Sequence, residues 1–340
     1  MKTMILGQTN LAVTKPAFGA LPIQRCSEAD AIAILHRAYE GGIRYFDTAN
    51  MYTDSEEKIG KALSNVREDI VISTKSAGRD YKTVSEHIQL SLERMKTDYI
   101  DLFQFHQVSS WEEVDSGAWE AAVEAKAKGY LRHIGVTSHR LDFAMEAVES
   151  GRFETMQYPF SYLSGEDEFR LVRRCREKNM GYIAMKALAG GMLSNARAVH
   201  AFMGAQDGVV PIYGIQTMEE LEQWLALAED DPVLDEELQA VIDADRAQLA
   251  GQFCRSCGYC MPCPQDIEIR NCARMDMLIR RSPWRPYFTP EWQEKMDRIN
   301  DCLDCGLCKS RCPYGLDTPK VLKYMLKDYW EFYEAHKNEL

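Results

Sequence analysis

Two short runs hold eight of this chain's 11 cysteines. In CLDCGLCKSRCP, from Cys302 to Pro313, Cys302, Cys305 and Cys308 are three residues apart, and Cys312 stands directly before a proline. Thiolates at i, i+3 and i+6 can take three corners of an iron–sulfur cube. A fourth Cys four residues on, followed by Pro, usually reaches the other of two cubes. CRSCGYCMPCP, from Cys254 to Pro264, starts alike, but only Met261 and Pro262 separate Cys260 from Cys263. Zinc knuckles use pairs of C-x2-C and have little use for a third Cys at i+6. Disulfides between such near neighbours would be strained. Two 4Fe–4S clusters with crossed ligation are expected. Cys254, Cys257, Cys260 and Cys312 hold one, and Cys302, Cys305, Cys308 and Cys263 the other. Cys26 and Cys175 read as ordinary thiols. Cys272, close to the first run, remains open as a ligand.

A second set of residues is scattered: Asp47, Tyr52, Lys75 and His106. Each alone has a plain structural explanation, such as an ion pair or a hydrogen-bonded histidine. Together they make a proton-donating device. Tyr is a poor acid, with a pKa near ~10. A neighbouring ammonium should stabilise the phenolate and lower that value. Asp47 would hold Lys75 charged and in place, and His106 would orient a carbonyl oxygen or share the proton.

The elements that must position them alternate strand and helix. After a short hairpin from Met4 to Val13, with its turn at Gln8–Asn10, strands are expected at Pro16–Ile23, Arg44–Asp47, Ile70–Lys75, Ile100–His106, His133–Thr137, Thr155–Tyr158, Tyr182–Lys186 and Val209–Tyr213. Helices lie between them. Ser27 is the N-cap of the first, and others span Ser55–Leu63, Val84–Met95 and Glu166–Lys178. The strands are short and mostly apolar without alternation, as in a parallel sheet buried on both faces. Eight right-handed units close into a (β/α)8 TIM barrel, an α/β fold whose chemistry sits at the C-terminal strand ends. Asp47, Lys75 and His106 fall at such ends. A helix near Asp235–Leu249 leads to a small, mostly α-helical ferredoxin-like domain that contains both cysteine runs and ends in an amphipathic helix over Thr318–His336. The expected domains are residues 1–250 and 251–340.

Here a resemblance becomes specific. FDTANMYTDSEEKIGKAL resembles the strand-two and helix-two signature of the aldo-keto reductases, and ISTKS and DLFQFHQ resemble the segments that carry that family's Lys and His. The resemblance implies that Asp47, Tyr52, Lys75 and His106 are a catalytic tetrad. GVTSH and the Gln157 of QYP resemble its nicotinamide contacts, which implies that role for Thr137, Ser138 and Gln157. The likeness covers about residues 1–228, and with the cysteine domain attached the chain resembles the family's iron–sulfur branch.

There are departures from the family pattern. Many members stack an aromatic ring on the nicotinamide where this chain has Met185, followed by Lys186. Lys186 reads as a phosphate or substrate contact, or as half of a salt bridge. Gly190 and Gly191 read as pyrophosphate-binding backbone, or as a turn. NADPH-using members place Lys and Arg where Gly214 and Glu220 stand here. NADH, or little preference between NAD(H) and NADP(H), is therefore expected.

The net charge of −12 is uneven. From Gly251 onward 14 Lys+Arg face 13 Asp+Glu, against 26 and 39 before it. The acidic barrel argues against nucleic-acid and membrane partners. Arg270, Arg274, Arg280, Arg281 and Arg285 form a basic run, read as a solvated face or a dock for an acidic electron carrier. No apolar run approaches the ~20 residues of a membrane span, and no signal peptide is evident, so a reducing cytoplasmic location is expected. Two functions remain. One is an oxidoreductase that reduces a small-molecule carbonyl with hydride from NAD(P)H, its clusters structural or regulatory. The other is a nicotinamide-independent or flavin-assisted reductase, whose clusters relay single electrons from a ferredoxin or flavodoxin donor.

Overall fold

The structure, a computed structural model, describes residues 1–249, 253–281 and 284–339. The domain boundary expected after residue 250 lies outside them. The chain divides into two compact units, Met1–Ala187 with Ala196–Val241, and Leu188–Asn195 with Ile242–Leu340.

In the first unit, β1 (Lys2–Ile5) and β2 (Ala12–Lys15) form the antiparallel hairpin. The next eight strands are β3 (Ala17–Gly19), β4 (Tyr45–Asp47), β5 (Val71–Ser76), β6 (Ile100–Phe105), β7 (Leu131–Thr137), β8 (Thr155–Pro159), β9 (Gly181–Met185) and β10 (Val209–Gly214). They close, all parallel, in the order β10-β3-β4-β5-β6-β7-β8-β9. The first barrel strand is shorter than Pro16–Ile23, because Pro22–Arg25 turns into a 3-10 helix. Pro at the start of that turn supplies a helical φ and needs no donor.

Around the barrel lie α1 (Glu28–Glu40), α2 (Ser55–Leu63), α3 (Tyr81–Met95), the short α4 (Glu112–Asp115), α5 (Ala118–Ala127), α6 (Leu141–Ser150), α7 (Glu166–Glu177), α8 (Ala196–Gly204) and α9 (Met218–Asp230). Ser27 caps α1 by accepting from the Asp30 N–H at 3.1 Å, and Thr217 caps α9 by accepting from the Glu220 N–H at 3.1 Å. Gly60 sits where α2 meets α3; a Cβ there would lie 2.2 Å from the Arg94 carbonyl oxygen. Side chains two apart on a strand share a face. Ser73 and Lys75 therefore project together from β5, while register sets Asp47 beside Ser73 and Lys75 beside Gln104.

The second unit takes up α10 (Glu236–Gln248) from Ile242 onward. It continues through α11 (Ile269–Cys272), α12 (Met275–Arg281), α13 (Pro290–Asp297), α14 (Leu307–Ser310) and α15 (Thr318–His336). α15 follows the expected bounds. Its Tyr329 stacks on Phe288 with ring centroids 4.6 Å apart, and Trp284 meets Phe288 and Phe332 edge-on. Among the described residues no helix is long and apolar enough to cross a membrane.

Candidate active site and cluster-binding cysteines

β4, β5 and β6 bring three of the four barrel residues together, and the loop after β4 brings the fourth. Lys75 Nζ donates to Asp47 Oδ2 at 2.6 Å and to the Thr48 carbonyl at 2.5 Å. Both side chains are buried, so each charge depends on the other. Ser73 Oγ donates to the second Asp47 oxygen at 2.6 Å. Tyr52 lies between the ammonium and the imidazole. Lys75 Nζ stands 5.5 Å from its ring centre, and the His106 ring meets it edge-on at 5.9 Å.

Burial decides the protonation of this group. It holds the His106 imidazole down to about 3, with Lys75 and Arg79 adding to the effect, so His106 is neutral. Burial also lowers the Lys75 ammonium, against the pull of Asp47. The Tyr52 phenol departs from the expectation of a lowered value. Burial, and then the Asp47 carboxylate, raise it above the ordinary tyrosine range. The Lys75 ammonium donates to Asp47 and Thr48, which leaves desolvation as the larger influence on the phenol.

Sequence reading missed Gln104. Buried two residues before His106 on β6, its amide donates to Gln157 Oε1 at 2.8 Å and lies 3.4 Å from Asp47 Oδ1. It thus links the Asp47–Lys75 pair to Gln157. The period-two alternation of β6 was the available signal. Arg79 was missed too; it donates to the His106 carbonyl at 2.7 Å and pairs with Glu113 at 2.6 Å.

Thr137 and Ser138 are buried at the end of β7. Thr137 Oγ1 accepts from the Gln107 N–H at 2.7 Å, and Ser138 Oγ donates to the Val108 carbonyl at 2.7 Å. Met185 ends β9, and Lys186 follows in a left-handed conformation with φ 58°. Gly190 and Gly191 also have positive φ, 73° and 92°, and belong to the segment that groups with the second unit. There the Gly190 carbonyl accepts from Arg274 Nη1 at 2.8 Å.

Eight cysteines of the second unit line two cavities. Cys254, Cys257 and Cys260 line one together with Cys312. Cys263 lines the other together with Cys302, Cys305 and Cys308, and Cys260 stands at the wall between them. None of the eight is in a disulfide. Cysteines of both runs thus meet at each cavity, four at the first and five at the second with Cys260, and thiolates are the ligands a four-iron cube takes. Cys272 lines neither cavity; buried, it donates to the Lys295 carbonyl at 3.7 Å. The arginines between the runs are partly engaged within the unit. Arg280 pairs with Asp328 at 2.6 Å, and Arg285 donates to the Glu339 carbonyl at 3.0 Å.

Known proteins match part of this chain. YqkF of Bacillus subtilis, named an uncharacterized oxidoreductase, is 29% identical over 208 residues, 57% of this chain and 67% of its own length. L-galactose dehydrogenase of Arabidopsis thaliana is 30% identical over 210 residues, 56% of this chain and 66% of its own. The chain thus spans about two thirds of the length of these relatives. Among solved structures, an aldo-keto reductase from Bacillus halodurans in its holo form superposes with a TM-score of 0.65 at 24% identity, over 72% of this chain and 96% of that one. One from Klebsiella pneumoniae, in complex with NADPH, gives 0.60 at 22% identity, over 72% of this chain and 94% of that one. Both show a shared fold. Residues 253–317 match a 4Fe-4S dicluster domain. Residues 4–207 match the aldo/keto reductase family, and this chain belongs to that family of oxidoreductases, with a 4Fe–4S dicluster domain toward its C-terminal end.

Proposed function

We propose that this chain reduces the carbonyl group of a small molecule at the barrel, with Tyr52 as proton donor. The observation that carries this reading is the meeting of Tyr52, His106 and the Asp47–Lys75 pair at neighbouring strand ends. A nicotinamide, NADH or NADPH, supplies the hydride when bound. A proton donor must hold its proton until the oxygen becomes basic, and the raised Tyr52 phenol does so throughout the neutral range. Lys75 then stabilises the phenolate that remains. Neutral His106, whose Nδ1 has no hydrogen-bond partner, orients the carbonyl oxygen rather than supplying charge. Thr137, Ser138 and Gln157 are assigned to the carboxamide end of the nicotinamide, Met185 to its ring face, and Lys186 to phosphate.

In the second unit, Cys254, Cys257, Cys260 and Cys312 would hold one 4Fe–4S cluster, and Cys263, Cys302, Cys305 and Cys308 the other. A second reading has these clusters relay single electrons from a ferredoxin or flavodoxin donor. Its support is the shared wall at Cys260, which makes the two sites neighbours. Thiol-held clusters suit a reducing cytoplasm.

The test is Tyr52→Phe, which keeps the ring and removes its proton. General acid catalysis contributes ~10²–10⁴ in rate, so carbonyl reduction should fall by at least ~100-fold with iron content unchanged. A Phe variant as active as the parent removes Tyr52 from the reaction.

A further inference from the structure

The two cysteine-lined cavities differ in exposure. Cys254 and Cys260 are buried, whereas Cys305 is the one exposed cysteine among the described residues. Leu303 and Leu307, two residues to either side of Cys305, line the same cavity and are 65% and 40% exposed. A ligand thiol thus reaches the surface inside a small apolar spot. The charge around it is one-sided. From Cys302 to Lys327 five basic residues face two acidic ones, in a chain of net −12. Both acids are paired internally, Asp317 with Lys309 at 2.8 Å and Asp304 with Lys323 at 2.5 Å. The second pair ties α15 to the Cys302–Cys308 loop. Of the five basic residues, Lys320 and Lys327 stand exposed on α15 with Tyr324, Lys327 lying 3.7 Å from Glu331.

We infer that this apolar spot with its basic rim is the docking surface for a small acidic one-electron carrier protein. The carrier passes electrons to the outer cluster site, that of Cys263, Cys302, Cys305 and Cys308. The inference rests on the reading of these cysteines as 4Fe–4S ligands. Redox encounters of this kind need only a small interface, and opposite charge raises their on-rate. The balance is simple. The carrier's reduced centre loses one electron, the outer cluster gains it, and no bond forms or breaks.

The experiment is anaerobic stopped-flow on the cluster-loaded full chain, without nicotinamide or substrate. Reduced acidic plant-type 2Fe–2S ferredoxin is the probe, and bleaching of cluster absorbance is the readout. The parent is compared with a Lys320→Glu/Lys327→Glu double variant and with Leu303→Ser. The bimolecular rate constant should fall about tenfold in the charge-reversed variant and fall with added salt in the parent. Leu303→Ser should slow it as well. Dithionite should bleach all three proteins at the same rate. Equal rates with ferredoxin in parent and variants overturn the surface, as does bleaching by dithionite but not by ferredoxin. A parent carrying no iron overturns the ligand assignment and the surface with it.

Discussion

The Lys75 ammonium stands 5.5 Å from the centre of the Tyr52 ring while its hydrogen bonds go to Asp47 and Thr48. Lys75 therefore acts on Tyr52 through its field rather than as a direct partner. Lys75→Met should lower carbonyl reduction by at least ~100-fold, because the phenolate left by proton transfer loses its nearest cation. It also strands Asp47 as a buried, unpaired carboxylate, which costs about 3–5 kcal/mol. Adding Asp47→Asn should return the thermal midpoint towards that of the parent without restoring activity. A fully active Lys75→Met enzyme would sink this account.

Burial of His106 has a pH consequence with a definite sign. Its folded value is pushed down to about 3, whereas an unfolded His titrates near ~6.5. Above that pH both states are neutral and the residue contributes nothing. Below it the unfolded chain takes up a proton that the native chain refuses, so stability falls as pH drops, by about 5 kcal/mol at most near pH 3. His106→Gln should flatten that slope in urea unfolding followed at several acid pH values. In the native enzyme, kcat/KM should show no limb from His106 between about pH 5 and 8. A limb in that interval that vanishes in His106→Gln would contradict the neutral assignment.

The two cavities predict how iron is divided. Loaded protein should carry about eight irons. Cys272→Ser should keep all of them, because Cys272 faces Lys295 and lines neither cavity. A variant lacking Cys302, Cys305 and Cys308 should keep about four irons, and adding Cys312→Ala should release those as well. Retention of four irons in that last variant would show that Cys312 does not serve the first run.

Glu220 bears on nucleotide choice. Its carboxylate accepts from the N–H groups of Gln216 at 2.7 Å and Thr217 at 3.1 Å, closing a capping box on α9. The chain's own anion thus occupies the helix end that would otherwise favour a phosphate. NADH should bind at least as tightly as NADPH in parallel fluorescence titrations. Clearly tighter NADPH binding would place the 2′-phosphate elsewhere, with Lys186 the first residue to examine.

The barrel was legible because its signals are local. Apolar runs bounded by Gly and by caps mark strands and helices one at a time, and the order of eight such units leaves one closure. Ser27 and the bounds of α2 and α15 are cases in point. Of the helices between the cysteine runs, Pro290–Asp297 was legible, whereas Ile269–Cys272 was not, because four residues carry barely one turn of periodicity. Residue types at expected strand ends, with a family resemblance, nominated Asp47, Tyr52, Lys75 and His106, and the spacing of thiols nominated the eight cysteines. Only the tertiary structure decided how those residues act on one another. Register joined Gln104 to Asp47 and Gln157 across three strands. Packing brought Cys312 to the first run and Cys263 to the second. Desolvation, which depends on everything folded around a group, raised the Tyr52 phenol where a neighbouring ammonium alone would lower it.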